Sequence, residues 1–327
     1  LLVLPALLLA LLPARGLHGQ ATDPSLLTIE RVYASGDFRP EFFGPARWLA
    51  GGGAYTTLEQ SREGKGGQDL VRYDVASGAR TVLVPAPRLI PRGDSVPLTV
   101  EDYVWSADER QLLVFTNSAP VWRQNTRGDY WALDLRTWRL RKLGGPRARP
   151  STLMFAKFSP EGGRVAYVRE NNLYVEHLAT GRVVQLTRDG SRTIINGTFD
   201  WVYEEELDLR DGWRWSPDGR SIALWQLNAD SVRNFTLINN TDSTYAQAIE
   251  IQYPKAGESN SAPRVGVVPA AGGPTTWFRV PGDPRNHYLA RMEWAAGSDE
   301  VIIQQLNRLQ NTDIVYLGSR RDGSVRQ

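Results

Sequence analysis

Trp215-Ser216-Pro217-Asp218-Gly219-Arg220-Ser221-Ile222-Ala223-Leu224-Trp225 carries the first clue to the fold: an aromatic residue, a tight polar turn, then an apolar run. Pro217 presets the φ angle that the turn needs, and Gly219 suits the left-handed corner before the chain reverses. The same plan returns at Trp48 (WLAGGGAYTTL), Trp105 (WSADERQLLVF), Phe158 (FSPEGGRVAYV) and Trp294 (WAAGSDEVIIQ). The interval is about 55 residues until the last, which is longer, and such self-similarity marks a repeat architecture. Each unit therefore opens with a hairpin.

A second hairpin follows in Leu70–Val84, Tyr130–Leu143, Leu173–Leu186 and Ile314–Val325, where apolar and polar residues alternate on either side of a short turn. That period of two belongs to half-buried antiparallel strands. Two hairpins make four strands, and four strands returning at a fixed interval describe β-propeller blades better than a sandwich. The expected fold is all-β, with roughly five four-stranded blade units over residues 27–327. Residues 191–212 and 228–263 break the period, and insertions of this kind tend to carry function. Stopping at Gln327 leaves an open arc with exposed strand edges, so the domain reads as incomplete at its C-terminus.

The chain has 327 residues, 41% hydrophobic, with a formal net charge of +2. Its basic residues are scattered, which gives no footprint for nucleic acid. Nearly all of them are arginine, the lysines being Lys65, Lys142, Lys157 and Lys255, a bias expected of a GC-rich bacterial genome. Leu1–Leu12 is a short apolar run followed by Pro13-Ala14-Arg15 and small residues at Gly19 and Ala21. This is the pattern of a secretory signal over 1–21, truncated at its start and too short to span a bilayer comfortably. There is no cysteine, hence no disulfide framework and no thiolate chemistry. Export without disulfides points to the periplasm or surface of a bacterium.

No catalytic centre is visible. The sequence holds no G-x-S-x-G elbow, and His18, His177 and His287 stand in no metal-binding spacing. Neither a metal nor a cofactor is expected. What stands out is Asp200-Trp201-Val202-Tyr203-Glu204-Glu205-Glu206-Leu207. Asp200 can cap a short helical turn, on which Glu205 and Glu206 lie about 100° apart, near enough to converge on one small cation. A peptide's terminal ammonium is such a cation, and its donors match two carboxylates. Trp201 and Tyr203 would form a wall that excludes water. The same triplet also reads as an ordinary solvated acidic face.

Asp200–Leu207 resembles the double-glutamate motif of the dipeptidyl peptidase IV family. The likeness continues through Trp215-Ser216-Pro217 and Tyr253-Pro254-Lys255-Ala256-Gly257. It extends to Val121-Trp122-Arg123-Gln124 and Arg308-Leu309-Gln310-Asn311, and it covers the chain from about residue 27 onward. The resemblance implies an eight-bladed propeller in which Glu205 and Glu206 grip the substrate's free amine and Arg123 bonds the carbonyl near the second residue. It implies a serine peptidase releasing N-terminal dipeptides, with Pro or Ala second, whose Ser, Asp and His lie in a C-terminal α/β-hydrolase domain outside this chain. It also implies a homodimer through an arm at 231–257. Asp208–Gly212, polar and charged, departs from the family pattern beside the amine site. Competing readings are a non-catalytic periplasmic binding propeller of the Tol-associated type and a relative that releases tripeptides or acylated residues.

Overall fold

A computed structural model describes residues 25–40, 43–63 and 66–327. The expected signal segment at 1–21 lies outside the described residues. A first unit ends at Phe43 and contains one π-helical turn, Glu30–Ala34. The second unit runs from Gly44 to Gln327 and holds every strand found among the described residues. No helix among the described residues is long and apolar enough to cross a membrane.

The second unit is a series of five antiparallel blades. Blade one comprises β1 (Arg47–Trp48), β2 (Ala54–Gln60), β3 (Gln68–Asp74) and β4 (Arg80–Val84). Blade two comprises β5 (Asp102–Trp105), β6 (Gln111–Val121), β7 (Gln124–Asp134) and β8 (Arg139–Lys142). Blade three comprises β9 (Leu153–Phe158), β10 (Arg164–Arg169), β11 (Asn172–His177) and β12 (Val183–Gln185). After it come β13 (Ile194–Asn196) and α1 (Trp201–Leu207). Blade four is β14 (Trp213–Trp215), β15 (Ser221–Asn228), β18 (Ala262–Pro269) and β19 (Thr276–Trp277), with β16 (Asn234–Asn239) and β17 (Gln247–Gln252) inserted as a separate two-stranded arm. Blade five is β20 (His287–Trp294), β21 (Glu300–Asn307), β22 (Asp313–Ser319) and β23 (Val325–Arg326).

Every repeated aromatic closes the first strand of its blade, and three of them show why tryptophan recurs there. Trp105 Nε1 donates to Thr56 Oγ1 at 2.9 Å, Trp215 Nε1 to Lys157 O at 3.2 Å and Trp294 Nε1 to Arg214 O at 3.3 Å. Each indole thus reaches back to the preceding blade, a bond that Phe158 cannot make. Ion pairs lace first strands or their flanks as well: Arg47 to Asp102, Lys157 to Asp211 at 2.6 Å and Arg214 to Glu293 at 3.2 Å. Four hydrophobic cores lie between successive blades, and the one joining blades four and five takes in α1.

The turns follow their residue chemistry. Ser106, Ser159 and Ser216 each accept, through Oγ, the backbone N–H five residues on, and each donates to an acidic residue two places along. Gly162 and Gly219 take the left-handed corner with φ of 77° and 65°, and Glu109 holds the same place in blade two at 57°.

Blades two and three are not separate sheets, as the repeat suggests. Strands β7 and β9 pair through Arg127↔Met154 and Gly128↔Leu153 to give one eight-stranded sheet. The cause is the length of the β6–β7 hairpin, eleven residues a side, whose outer half carries register shifts beyond Thr116. In an antiparallel four-stranded blade, the turn between the second and third strands and the link to the next blade leave from the same edge. The tip of this hairpin, α1, the arm and the Asn307–Asp313 turn consequently share one edge.

Candidate functional site

Helix α1 has only seven residues, too few to persist alone. It is pinned at both ends. Asp200 Oδ1 accepts the N–H of Tyr203 at 3.1 Å, while its other oxygen accepts the Ser261 hydroxyl. Burial raises the Asp200 carboxyl above the usual range, partly offset by these hydrogen bonds. At the far end Asp208 takes a left-handed conformation, φ 55°, and its N–H bonds back to Tyr203 O. Val202, Tyr203 and Leu207 sink into the core between blades four and five, each such apolar burial contributing about 1.5–3 kcal/mol.

The insertion carrying α1 is closed at its neck by glycines. Gly212 N donates to Gly197 O at 3.0 Å, and Trp225 N donates to Gly212 O at 3.0 Å. A Cβ on Gly212 would lie 2.7 Å from Gly197 C and 2.9 Å from Thr198 N, so the two passes of backbone touch as only glycine permits.

Arg123 reaches this helix from a different blade. It stands with Trp122 at the two-residue tip of the β6–β7 hairpin, where Trp122 has φ 51°. Its Nε lies 3.1 Å from Glu205 Oε1. The Arg123 side chain is 77% exposed and that of Glu205 17%, so the carboxylate is the more deeply set of the two. Glu206, the next residue on the helix, is exposed.

The two aromatic residues expected to wall the site are placed differently from one another. Trp201 is half-buried against Tyr253, ring centroids 4.3 Å apart, and with Trp122, Arg127, Glu250 and Ile251 it lines a cleft of about 390 Å³. Tyr203 does not face solvent. It is 1% exposed, stacks on Phe199, and its hydroxyl accepts the Leu289 N–H at 3.1 Å. Tyr203 therefore supports the helix from beneath and lines no opening, because its aromatic surface is spent on the core.

Glu204 was not singled out in the sequence. It is 2% exposed, and burial pushes its carboxyl up to about 7, with Arg210 opposing that rise. A signal was present: Glu204 stands three residues before Leu207 and shares its inward side. The charged run after Leu207 ties the loop instead of lining a site. Arg210 bonds Asp208, and Asp211 pairs with Lys157 and, at 3.4 Å, with Arg214. Arg308, from another matching stretch, is committed to backbone, donating to Glu258 O at 2.7 Å and more distantly to Arg285 O. His177 and His287 stand apart on β11 and β20, and no group of three potential metal ligands occurs among the described residues.

A family model described as the dipeptidyl peptidase IV (DPP IV) N-terminal region matches residues 106–326. Dipeptidyl aminopeptidase B of Saccharomyces cerevisiae is 30% identical over 245 residues, which is 72% of this chain and 29% of that protein. Inactive dipeptidyl peptidase 10 of Mus musculus is 29% identical over 224 residues, 67% of this chain and 28% of that protein. The crystal structure of Porphyromonas gingivalis dipeptidyl peptidase 4 superposes with a TM-score of 0.78 at 28% identity, covering 90% of this chain and 40% of that one. The chain spans less than a third of the length of these curated relatives.

Proposed function

This chain belongs to the dipeptidyl peptidase IV family through its N-terminal region, and from that premise we propose that it is the substrate-recognition propeller of a serine dipeptidyl peptidase. Glu205 and Glu206 bind the protonated terminal amine of a peptide, and Arg123 bonds the carbonyl near its second residue. The observation that supports this most is the meeting of Arg123 and Glu205 at 3.1 Å, from a hairpin of blade two and a helix that follows blade three.

In this reading the propeller acts as a ruler. Pinning the ammonium fixes how far the peptide reaches toward a serine in a C-terminal α/β-hydrolase domain, so dipeptides are released, with Pro or Ala second. A pinned amine makes attack effectively intramolecular, and that orientation is the propeller's contribution to rate. The chain itself has no G-x-S-x-G elbow and hydrolyses nothing alone. Export to the periplasm or cell surface belongs to the same proposal, as does a homodimer through the 231–257 arm. A second reading, a propeller that binds peptides without cleaving them, draws on the relative named inactive.

The test is made on the complete polypeptide, with a dipeptide amide carrying proline second and its N-acetylated counterpart. The unmodified enzyme is expected to reject the acetylated compound. Glu205→Gln and Glu206→Gln should each lose at least about two orders of magnitude in kcat/KM on the free amine, or about 2.7 kcal/mol. Wild-type rates in both variants, or equal cleavage of the acetylated compound, refute the amine-site assignment. Absence of any turnover that a serine-directed phosphonate abolishes favours the binding propeller.

A further inference from the structure

Glu205 already has a cation on it. Arg123 Nε sits 3.1 Å from Glu205 Oε1, and the guanidinium is the more exposed partner, 77% against 17%. An ammonium that binds Glu205 must share the carboxylate with this guanidinium or take its place. Resting on the amine-site reading above, we propose that Arg123 is a displaceable gate: it occupies Glu205 in the empty site, and only a cationic amine releases it to bond the substrate's carbonyl.

Three features of the chain fit this role. The tip is a two-residue turn on a long hairpin whose outer half is held by broken register, with shifts between Thr116 and Ala119 and again between Ala119 and Val121. Such a tip can shift without unpairing the inner blade. Glu205, by contrast, sits on a helix capped by Asp200 and keyed into the core, so it is Arg123 that moves. The pair is also weak enough to exchange, since an ion pair with one partner exposed to water adds little to stability and costs side-chain entropy. The ammonium brings three N–H donors to Glu205 and Glu206, whereas Arg123 makes an ion-pair contact through Nε to Glu205 alone.

The exchange links two recognition events in order. While Arg123 rests on Glu205, its guanidinium is held at the carboxylate and away from the place where it would meet the substrate's carbonyl. Once an ammonium takes its place, the released guanidinium is near the bound peptide and free to act. A neutral, acylated N-terminus cannot perform the exchange, so it fails twice, at the carboxylates and at the arginine. This is specificity through an added penalty for the wrong ligand.

A simple amine without a carbonyl separates the gate from the clamp. Isobutylammonium is used as a competitive inhibitor of the complete enzyme, and its inhibition constant is compared among wild type, Arg123→Ala and Glu205→Gln. Removing the gate should tighten the amine by about two- to fivefold, the scale of a part-exposed ion pair, while the peptide substrate's kcat/KM falls. An Arg123→Ala enzyme that binds the amine equally or more weakly, with Glu205→Gln abolishing inhibition, overturns the gate and leaves the amine site standing. If Glu205→Gln leaves inhibition by the amine unchanged, the amine-site reading fails, and the gate with it.

Discussion

Glu204 and Arg210 face each other across 4.0 Å inside the protein, and among the described residues neither Glu204 Oε1 nor Arg210 Nε has a hydrogen-bond partner. Burial raises the Glu204 carboxyl from its ordinary 4.5 to about 7. Between those values the folded chain holds a proton that the unfolded chain has released. Stability from this group is full below pH 4.5 and is lost as pH rises through 7. Glu204→Gln removes the titration and should be more stable than wild type at pH 8 by about 1–3 kcal/mol, with little difference at pH 4.5. Urea denaturation at several pH values checks this, and an unchanged pH slope in the variant refutes it.

Thr56 and Thr57 are adjacent, both buried, and should respond oppositely to the same substitution. Thr56 Oγ1 accepts from Trp105 Nε1 at 2.9 Å and from the Tyr103 hydroxyl at 3.0 Å, whereas Thr57 Oγ1 has no partner among the described residues. Thr56→Val strands the indole N–H and leaves Tyr103 with its longer bond to Pro45 O, at a cost of about 1–3 kcal/mol. Thr57→Val exchanges an unsatisfied hydroxyl for a methyl and should be neutral or stabilising. Midpoints of chemical denaturation read both, and equal losses would mean that blade one and blade two are not joined through Thr56.

Gly212→Ala tests the neck of the insertion. The added Cβ meets backbone at 2.7 Å, which cannot yield as a flexible side chain does. Stability should fall by about 1–3 kcal/mol or more, and amine-dependent kcat/KM of the complete enzyme should fall with it as α1 shifts. Gly163→Ala, whose Cβ would meet nothing nearer than Glu161 at 3.9 Å, serves as the control and should behave as wild type. A Gly212→Ala enzyme of normal stability and rate would show that the neck does not hold the helix.

The arm offers the last test. Phe235↔Ile251 and Leu237↔Ile249 are cross-strand pairs on one face of a ribbon whose two strands, among the described residues, pair with no other strand. Isolated two-stranded ribbons are marginal in water, and this one leaves Phe235, Leu237 and Ile249 37%, 44% and 42% exposed. If a second copy covers that face, Phe235→Asp with Ile251→Asp should turn a dimer of the complete protein into monomers on sedimentation. A dimer that survives both changes has its contact elsewhere.

The blades were legible in the sequence because each signal acts over a few neighbouring residues. Pro217 and Gly219 make their turn with residues adjacent to them, alternation along 173–186 needs only the strand and its hairpin partner, and Asp200 caps a helix that starts at the next residue. The approach of Arg123 to Glu205 was not legible, nor was the fusion of blades two and three at Gly128↔Leu153. The inward turn of Glu204 and the loss of Tyr203 to the core were hidden as well, and so was the difference between Thr56 and Thr57. Each of these depends on a residue brought in from a distant part of the chain, and on how much water that neighbour leaves. Local sequence specifies backbone conformation and pattern; the charge, burial and pairing of a side chain are set by what packs against it, which only the tertiary structure decides.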